Sequence, residues 1–113
     1  MNGRLRNAAA ALADTNLTAV YTVPTNFTAI VKEMFLTNVD GTRAVDATLK
    51  YTDTSGSATY ALLSTKSIAA DSYLRLENAN IVLEEGDILK AQAGAGNDLT
   101  VSVFLEEFYK PQG

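Results

Sequence analysis

The stretch that decides the fold is IVLEEGDILKAQA at residues 81–93, followed after a glycine-rich segment by LTVSVFL at residues 99–105. Leucine or valine recurs at positions 99, 101, 103 and 105, and only a β-strand points alternate side chains to opposite faces. The Glu-Gly-Asp sequence at 85–87 predicts a tight reversal between two apolar runs. We therefore interpret this stretch as the closing meander of an antiparallel β domain.

Upstream, turn signals arrive about every ten residues, which is the spacing typical of sandwiches and barrels. Apolar and polar residues alternate over 17–23, which predicts a strand. The strand ends at Pro24, because proline has no N–H to donate a hydrogen bond to a neighbouring strand. Residues 27–38 predict a long strand whose apolar parity changes near Lys32 and Glu33. This change predicts a β-bulge or a sharp bend at that point.

The middle of the chain predicts further strands at 45–52, 58–63 and 73–77. Asp40-Gly41 indicates a hairpin turn into the first of them, and residues 53–57 indicate the turn that follows it. Residues 64–72 have the composition of a loop that contains Ile68.

These elements predict seven or eight strands and little helix. Each sheet must bury one apolar face, so two layers are needed. The predicted fold class is all-β, a single antiparallel β-sandwich that is jelly-roll-like, with a small closed β-barrel as the alternative. The order of the strands is not fixed by the sequence.

The predicted organisation is an N-terminal arm at 1–16, a β-sandwich domain at 17–109 and a C-terminal tail at 110–113. Three readings stay open for residues 3–13: a frayed terminus, a plain first strand, or an arm, helical or extended, that becomes ordered on a neighbouring chain. In the last case Arg4 and Arg6 would anchor the arm to acidic rims, and small side chains would let it lie close to another surface.

The composition supports a folded domain and argues against an enzyme. The chain has 113 residues, 47% of them apolar, and no cysteine, histidine or tryptophan. Cysteine and histidine chemistry is therefore impossible within it, and we predict no catalytic residues and no cofactor. Glu84, Glu85 and Asp87 form an acidic group, but they lack the spacing of a calcium loop, so no metal site is predicted.

The net charge is −4 and the nine basic residues are scattered, so no direct nucleic-acid partner is predicted. No apolar stretch approaches the roughly 18 residues of a membrane span, so no membrane partner is predicted either.

Large aromatic side chains near the carboxyl end indicate a protein contact. If residues 99–105 of odd number face the core, Phe104 faces outward, and Phe108 and Tyr109 follow it closely. A second packing layer within the same chain is an equally open reading. The predicted protein-interface residues are Arg4, Arg6, Leu12, Phe104, Phe108 and Tyr109.

Two segments together resemble a known family. Residues 20–32, VYTVPTNFTAIVK, look like the VYTVPAG-x-TAIVK opening of small tailed-bacteriophage structural proteins, and 36–41 match its LTN-x-x-G continuation. Residues 81–91 resemble the family's VLEAGDSLKA closing motif. The departure is Thr25-Asn26 where Ala-Gly is usual, a change inside a turn. The resemblance covers residues 17–105.

This resemblance implies a non-enzymatic virion structural protein, assembled in the bacterial host cytoplasm. The leading prediction is a capsid decoration (cement) protein that stabilises the head as a homo-oligomer, with a trimer favoured, bound to the major capsid protein or another virion protein. The alternatives are a neck or tail component in a ring or fibre, and a carbohydrate-binding module.

Overall fold

The computed structural model describes residues 3–110, which form nine β-strands and no helix. None of these residues therefore lies in a helix that could cross a membrane. The strands are numbered in chain order: β1 (Arg4–Leu12), β2 (Thr18–Thr22), β3 (Phe27–Asn38), β4 (Val45–Asp53), β5 (Ala58–Ile68), β6 (Tyr73–Leu76), β7 (Ile81–Leu83), β8 (Ile88–Ala93) and β9 (Leu99–Tyr109).

The strands form two antiparallel sheets packed face to face. One sheet has the order β1-β9-β3-β6, with β7 also paired to β3, and the other has the order β2-β8-β4-β5. If β6 and β7 are counted as one broken strand, the two four-stranded layers are connected as in a jelly roll. The predicted jelly-roll-like sandwich is confirmed, and the closed-barrel alternative is wrong.

The break between β6 and β7 lies beside the bulge that the sequence predicted in β3. The register of β3 against β9 shifts between Val31 and Glu33, so Lys32 is the extra residue. The carbonyl of Lys32 accepts a hydrogen bond from the N–H of Ala79, in the segment that joins β6 to β7. The bulge returns Met34 and Leu36 to the inner face, where both are fully buried.

The core lies between the sheets and consists of residues that alternate along each strand. Val101 and Val103 are fully buried, as the two-residue period predicts, and β8 and β4 supply the facing layer. The buried apolar residues are Leu12, Val23, Ala29, Val31, Met34, Leu36, Val45, Ala47, Leu49, Ile68, Leu83, Leu89, Ala91, Ala93, Leu99, Val101, Val103 and Leu105.

Two predicted local structures are wrong because consecutive strands often lie in different sheets. Asp40-Gly41 does not close a hairpin, since β3 and β4 are not paired; the turn instead carries the chain from one sheet to the other. Strands β7, β8 and β9 likewise alternate between the sheets and form no meander. The turn at 53–57 is a true hairpin between β4 and β5.

Residues 64–72, predicted as a loop, are partly strand. Strand β5 continues to Ile68, but its register against β4 shifts twice, on either side of Leu49. Thr65 has a positive φ of 52°, and its N–H donates to the Oγ1 of Thr48. These irregularities interrupt the apolar alternation, which is why the pattern indicated a loop.

The alanine-rich segment near the N-terminus is a strand. Residues 4–12 pair with β9 at nine successive positions, from Arg4 opposite Glu107 to Leu12 opposite Leu99. Sheet pairing and the burial of Leu12 therefore outweigh the helix propensity of alanine. The division into an arm, a domain and a tail stays a prediction, and residues 1–2 and 111–113 lie outside the described residues.

Candidate protein interface

The outer face of the five-stranded sheet carries several exposed apolar side chains, among them Leu5, Tyr73 and Phe104. Odd-numbered residues of β9 from 99 to 107 are buried, so Phe104, Glu106 and Phe108 point away from the core. Phe104 is 41% exposed, and Phe108 is half-buried on the same side. The outward orientation predicted for Phe104 is confirmed.

An aromatic row crosses this face from strand to strand. The ring of Phe35 packs edge-on against Phe104, with centroids 6.2 Å apart, and contacts Tyr73 at 5.7 Å on its other side. Leu5 of β1, which is 82% exposed, lines a shallow groove together with Phe104. We call Leu5, Phe35, Tyr73 and Phe104 the outer aromatic face.

Ion pairs surround the outer aromatic face. Arg75 of β6 pairs with Glu33 and Glu77, and its guanidinium lies 5.6 Å from the ring centroid of Phe35. Lys32, at the bulge, is 4.0 Å from Glu106. An apolar centre with a charged rim is the usual arrangement of a protein–protein contact.

A shallow groove of about 280 Å³ opens at the β1 side of this face. Its lining combines apolar side chains with Asn7 and the cationic Arg6 and Lys32; the lining residues are Leu5, Arg6, Asn7, Lys32, Phe104 and Leu105. The lining of the groove contains no hydroxyl or thiol nucleophile and no acid–base pair.

A different group of side chains, which we call the inter-sheet lock, lies on the inner side of the five-stranded sheet, where Arg4 of β1 pairs with Glu107 of β9. It consists of Arg4, Arg6, Tyr21 and Glu107. The Glu107 side chain is fully buried and accepts hydrogen bonds from Arg4 Nε at 2.7 Å, from Arg6 Nη1 at 3.3 Å and from the Tyr21 hydroxyl at 2.5 Å. The lock joins β1 and β9 of one sheet to β2 of the other.

Electrostatics keep the lock in its charged form. Burial raises the pKa of Glu107, but hydrogen bonds from Tyr21 and Arg4 and the charges of Arg6 and Arg4 lower it, and the net result is a lowered pKa. The pKa of Tyr21 is raised well above its usual range. The largest cause is burial, and the hydrogen bond to Glu107 and the negative charge of Glu107 add to it. Glu107 is therefore an anion and Tyr21 a neutral donor at neutral pH.

The six predicted interface residues lie in three separate places. Arg4 and Arg6 bind Glu107 of the same chain, and Tyr109 packs edge-on against Phe27 beside them, at 5.6 Å. The outer face holds Phe104 and Phe108. Leu12 is 1% exposed and belongs to the core, so its side chain offers no surface to a partner in this conformation.

The sequence analysis did not identify the other members of the outer aromatic face and of the inter-sheet lock. The odd or even position of a residue along its strand could have identified some of them. Phe35 lies between Met34 and Leu36, so the shift that buries those two places Phe35 on the outer face. Glu107 continues the odd-numbered inner series of β9, and an acid at a core position signals a buried partner. Nothing local linked Tyr73 to Phe35, because their pairing depends on the sheet order.

The remaining tyrosines do not come together in one aromatic platform of the kind that a carbohydrate-binding module would need. The rings of Tyr51 and Tyr60 contact each other on the β4–β5 hairpin, with centroids 5.6 Å apart. Tyr73 is on β6, which belongs to the other sheet. Tyr21 turns its hydroxyl inward to Glu107.

Carboxylate oxygens of Asp53, Glu84 and Asp87 lie within 4.8 Å of one another. The buried Asp87 accepts hydrogen bonds from the backbone N–H of Thr54 and of Glu84, so it joins two loops. Asp53 likewise accepts hydrogen bonds within its own turn, from Ser55 and Gly56. These contacts give the cluster a structural role.

Comparisons with solved structures show a shared fold. The NLP core of Drosophila has a TM-score of 0.56 at 8% identity, over 93% of this chain and 98% of that one. A Bacillus endospore appendage subunit has a TM-score of 0.54 at 13% identity, over 98% and 93%. A chain of the cyanophage Pam1 capsid scores 0.46 at 14% identity, over 96% and 86%, which is too low to support an inference. Neither a protein-family model nor a curated protein matches the chain.

Proposed function

We propose that this chain is a non-enzymatic structural protein of a bacteriophage virion, and that it decorates the capsid as a homo-oligomer. The observation that carries the proposal is the outer aromatic face, an apolar row with a charged rim on the five-stranded sheet. Keeping such a surface in water is costly, and an assembly contact would cover it.

The chemistry of the chain supports a structural role. Several ionisable side chains of the described residues take part in ion pairs and in the inter-sheet lock, and the chain has neither histidine nor cysteine to act as base or nucleophile. A protein that binds only the assembled shell stabilises that shell by mass action, without any reaction.

The virion context rests on the sequence resemblance. The VYTVP segment forms β2 and the turn into β3, and the VLEEGD segment forms β7 and the turn into β8. Both motifs are therefore elements of the jelly roll. Two of the matched structures, the Drosophila NLP core and the Bacillus endospore appendage, come from proteins that form a pentamer and pili, which accords with self-assembly of this fold.

The stoichiometry that we propose first is a trimer. A cyclic assembly built through the outer aromatic face would leave the opposite sheet and the loops free for the capsid surface, and several weak contacts would then act together.

The test is the copy number of the chain in purified particles of the phage that encodes it, measured by quantitative mass spectrometry. Hundreds of copies per particle support decoration of the head. A dozen or fewer place the protein at the neck or tail, and absence from the particle contradicts the virion role altogether. Cross-linking within the intact particle would then identify the neighbouring protein.

A further inference from the structure

Each sheet of the sandwich has two edges, and three of the four edges are protected against pairing with another chain. Strand β2 is five residues long and bulged, and its register shifts between Ala19 and Tyr21. Strand β5 carries two register shifts and an exposed lysine, Lys66. The β6–β7 edge is broken into pieces of four and three residues. Bulges, charges and short strands are the devices that prevent edge-to-edge association.

The fourth edge, β1, lacks these devices over most of its length. It runs for nine residues with no register shift, and its second half, residues 7–12, carries no charge. The two charges at its start, Arg4 and Arg6, are already bound to Glu107 of the same chain. Among residues 3–110, β1 is thus the one long, regular edge whose outer backbone groups have no partner strand.

We propose that β1 pairs antiparallel with β1 of a second copy, about a two-fold axis at Ala8, so that the five-stranded sheets of two molecules become continuous. In this register Ala8 lies opposite itself, Asn7 opposite Ala9, Leu5 opposite Ala11 and Arg4 opposite Leu12. The proposal does not depend on a role in a virion.

Charge selects this register. Centring at Ala8 puts Arg6 opposite Ala10 of the second copy, so the two Arg6 positions are four residues apart along the strands, or roughly 13 Å. This separation exceeds the Debye length of about 8 Å at physiological ionic strength. A shift toward the N-terminus would bring the arginines together, and a shift toward the C-terminus would run into the irregular segment at 13–17.

Shape supports the same register. The side chain of Leu5 is 82% exposed on the outer face, and in the dimer it would lie against Ala11, whose small side chain leaves room for it. The three aromatic members of the outer aromatic face, Phe35, Tyr73 and Phe104, would stay uncovered in both copies, on one side of a continuous sheet. Edge pairing therefore shares only Leu5 with the outer aromatic face and leaves its aromatic side chains free for a second contact.

Single-cysteine variants test the register, because the chain has no cysteine of its own. In the proposed dimer Ala8→Cys places two thiols on directly opposed residues, within the Cα separation of 4.4–6.8 Å that a disulfide needs. Ala11→Cys and Leu5→Cys each place their own two copies six residues apart, roughly 20 Å. Position 5 of one copy lies opposite position 11 of the other, however, so the two variants should cross-link to each other when they are mixed.

The variants are oxidised with glutathione disulfide and resolved on non-reducing gels, after circular dichroism has shown that each folds like the wild type. We expect Ala8→Cys to cross-link at least tenfold faster than Ala11→Cys, and the Leu5→Cys and Ala11→Cys mixture to cross-link at least tenfold faster than either alone. Equal rates for Ala8→Cys and Ala11→Cys, or no disulfide at Ala8, would overturn the proposal. Wild-type sedimentation as a monomer at 100 μM would overturn it too.

Discussion

The inner and outer faces of strand β9 are built from the same eleven residues and serve opposite purposes. The inner series ends in the buried anion Glu107, which joins the two sheets, whereas the outer series presents Phe104 and Phe108 to the surroundings. On the outer side the ring of Phe104 packs against Phe35 but stays 41% exposed. The inner face thus determines the fold, and the outer face is available for association.

The largest difference in stability should appear when the same charged substitution is made at an inner and at an outer position of β9. We expect Val101→Asp to destabilise the protein by several kcal/mol, enough to unfold most of it, because it buries an unpaired charge at a fully buried site. The neighbouring Ser102→Asp, on the outer side of the same strand, should cost less than about 1 kcal/mol. Urea unfolding of both variants measures the difference, and equal losses would mean that the register of β9 is wrong.

The inter-sheet lock should have a smaller effect. Glu107→Gln removes the charge that Arg4, Arg6 and Tyr21 share, and hydrogen bonds to charged groups contribute about 1.5–3 kcal/mol each. We expect a loss of about 2 kcal/mol at pH 7, since both arginines are half-exposed and can regain water. The matched control Glu106→Gln, whose partner Lys32 is 4.0 Å away at the surface, should cost below about 0.5 kcal/mol.

The same pair of variants gives a pH test with a definite sign. The pKa of Glu107 is lower in the folded protein than its ordinary value of 4.5. Its contribution is therefore fully present above pH 4.5 and is lost as the pH falls through the lower, folded-state value. The stability advantage of the wild type over Glu107→Gln should shrink between pH 5 and the acid transition. An advantage that stays constant over this range would show that the carboxylate charge does not stabilise the lock.

The two faces also differ in how far the sequence could predict them. Alternation placed residues 99–105 correctly, and the parity change at Lys32 located the bulge, because both depend on neighbours along one strand. The Asp40-Gly41 turn was misread, since the same turn chemistry serves a hairpin and a crossing between sheets. The contact of Tyr73 with Phe35 depends on β6 pairing with β3, a long-range choice that no local pattern encodes.

Substitution in the outer aromatic face should have the smallest effect on stability. Its main effect should be on association between copies of the chain. Phe104→Ser removes a partly exposed ring and its contact with Phe35, a pair that contributes about 0.5–1.5 kcal/mol beyond its buried area. The variant should therefore stay folded, with a loss of roughly 1–2 kcal/mol. Tyr60→Ser is the matched control, because Tyr60 is 52% exposed and also contacts one aromatic neighbour, Tyr51, but lies on the other sheet.

Sedimentation velocity over a concentration series separates the two readings of this face. If the row is an interface, Phe104→Ser should weaken self-association at least tenfold while Tyr60→Ser leaves it unchanged, since hot-spot aromatics carry a disproportionate share of binding energy. If the row is only a second packing layer of the monomer, both variants should lose stability alike and neither should alter association. If both variants weaken association equally, copies of the chain meet through nonspecific aromatic contacts. The two faces of β9 would then differ only in how they pack within the monomer.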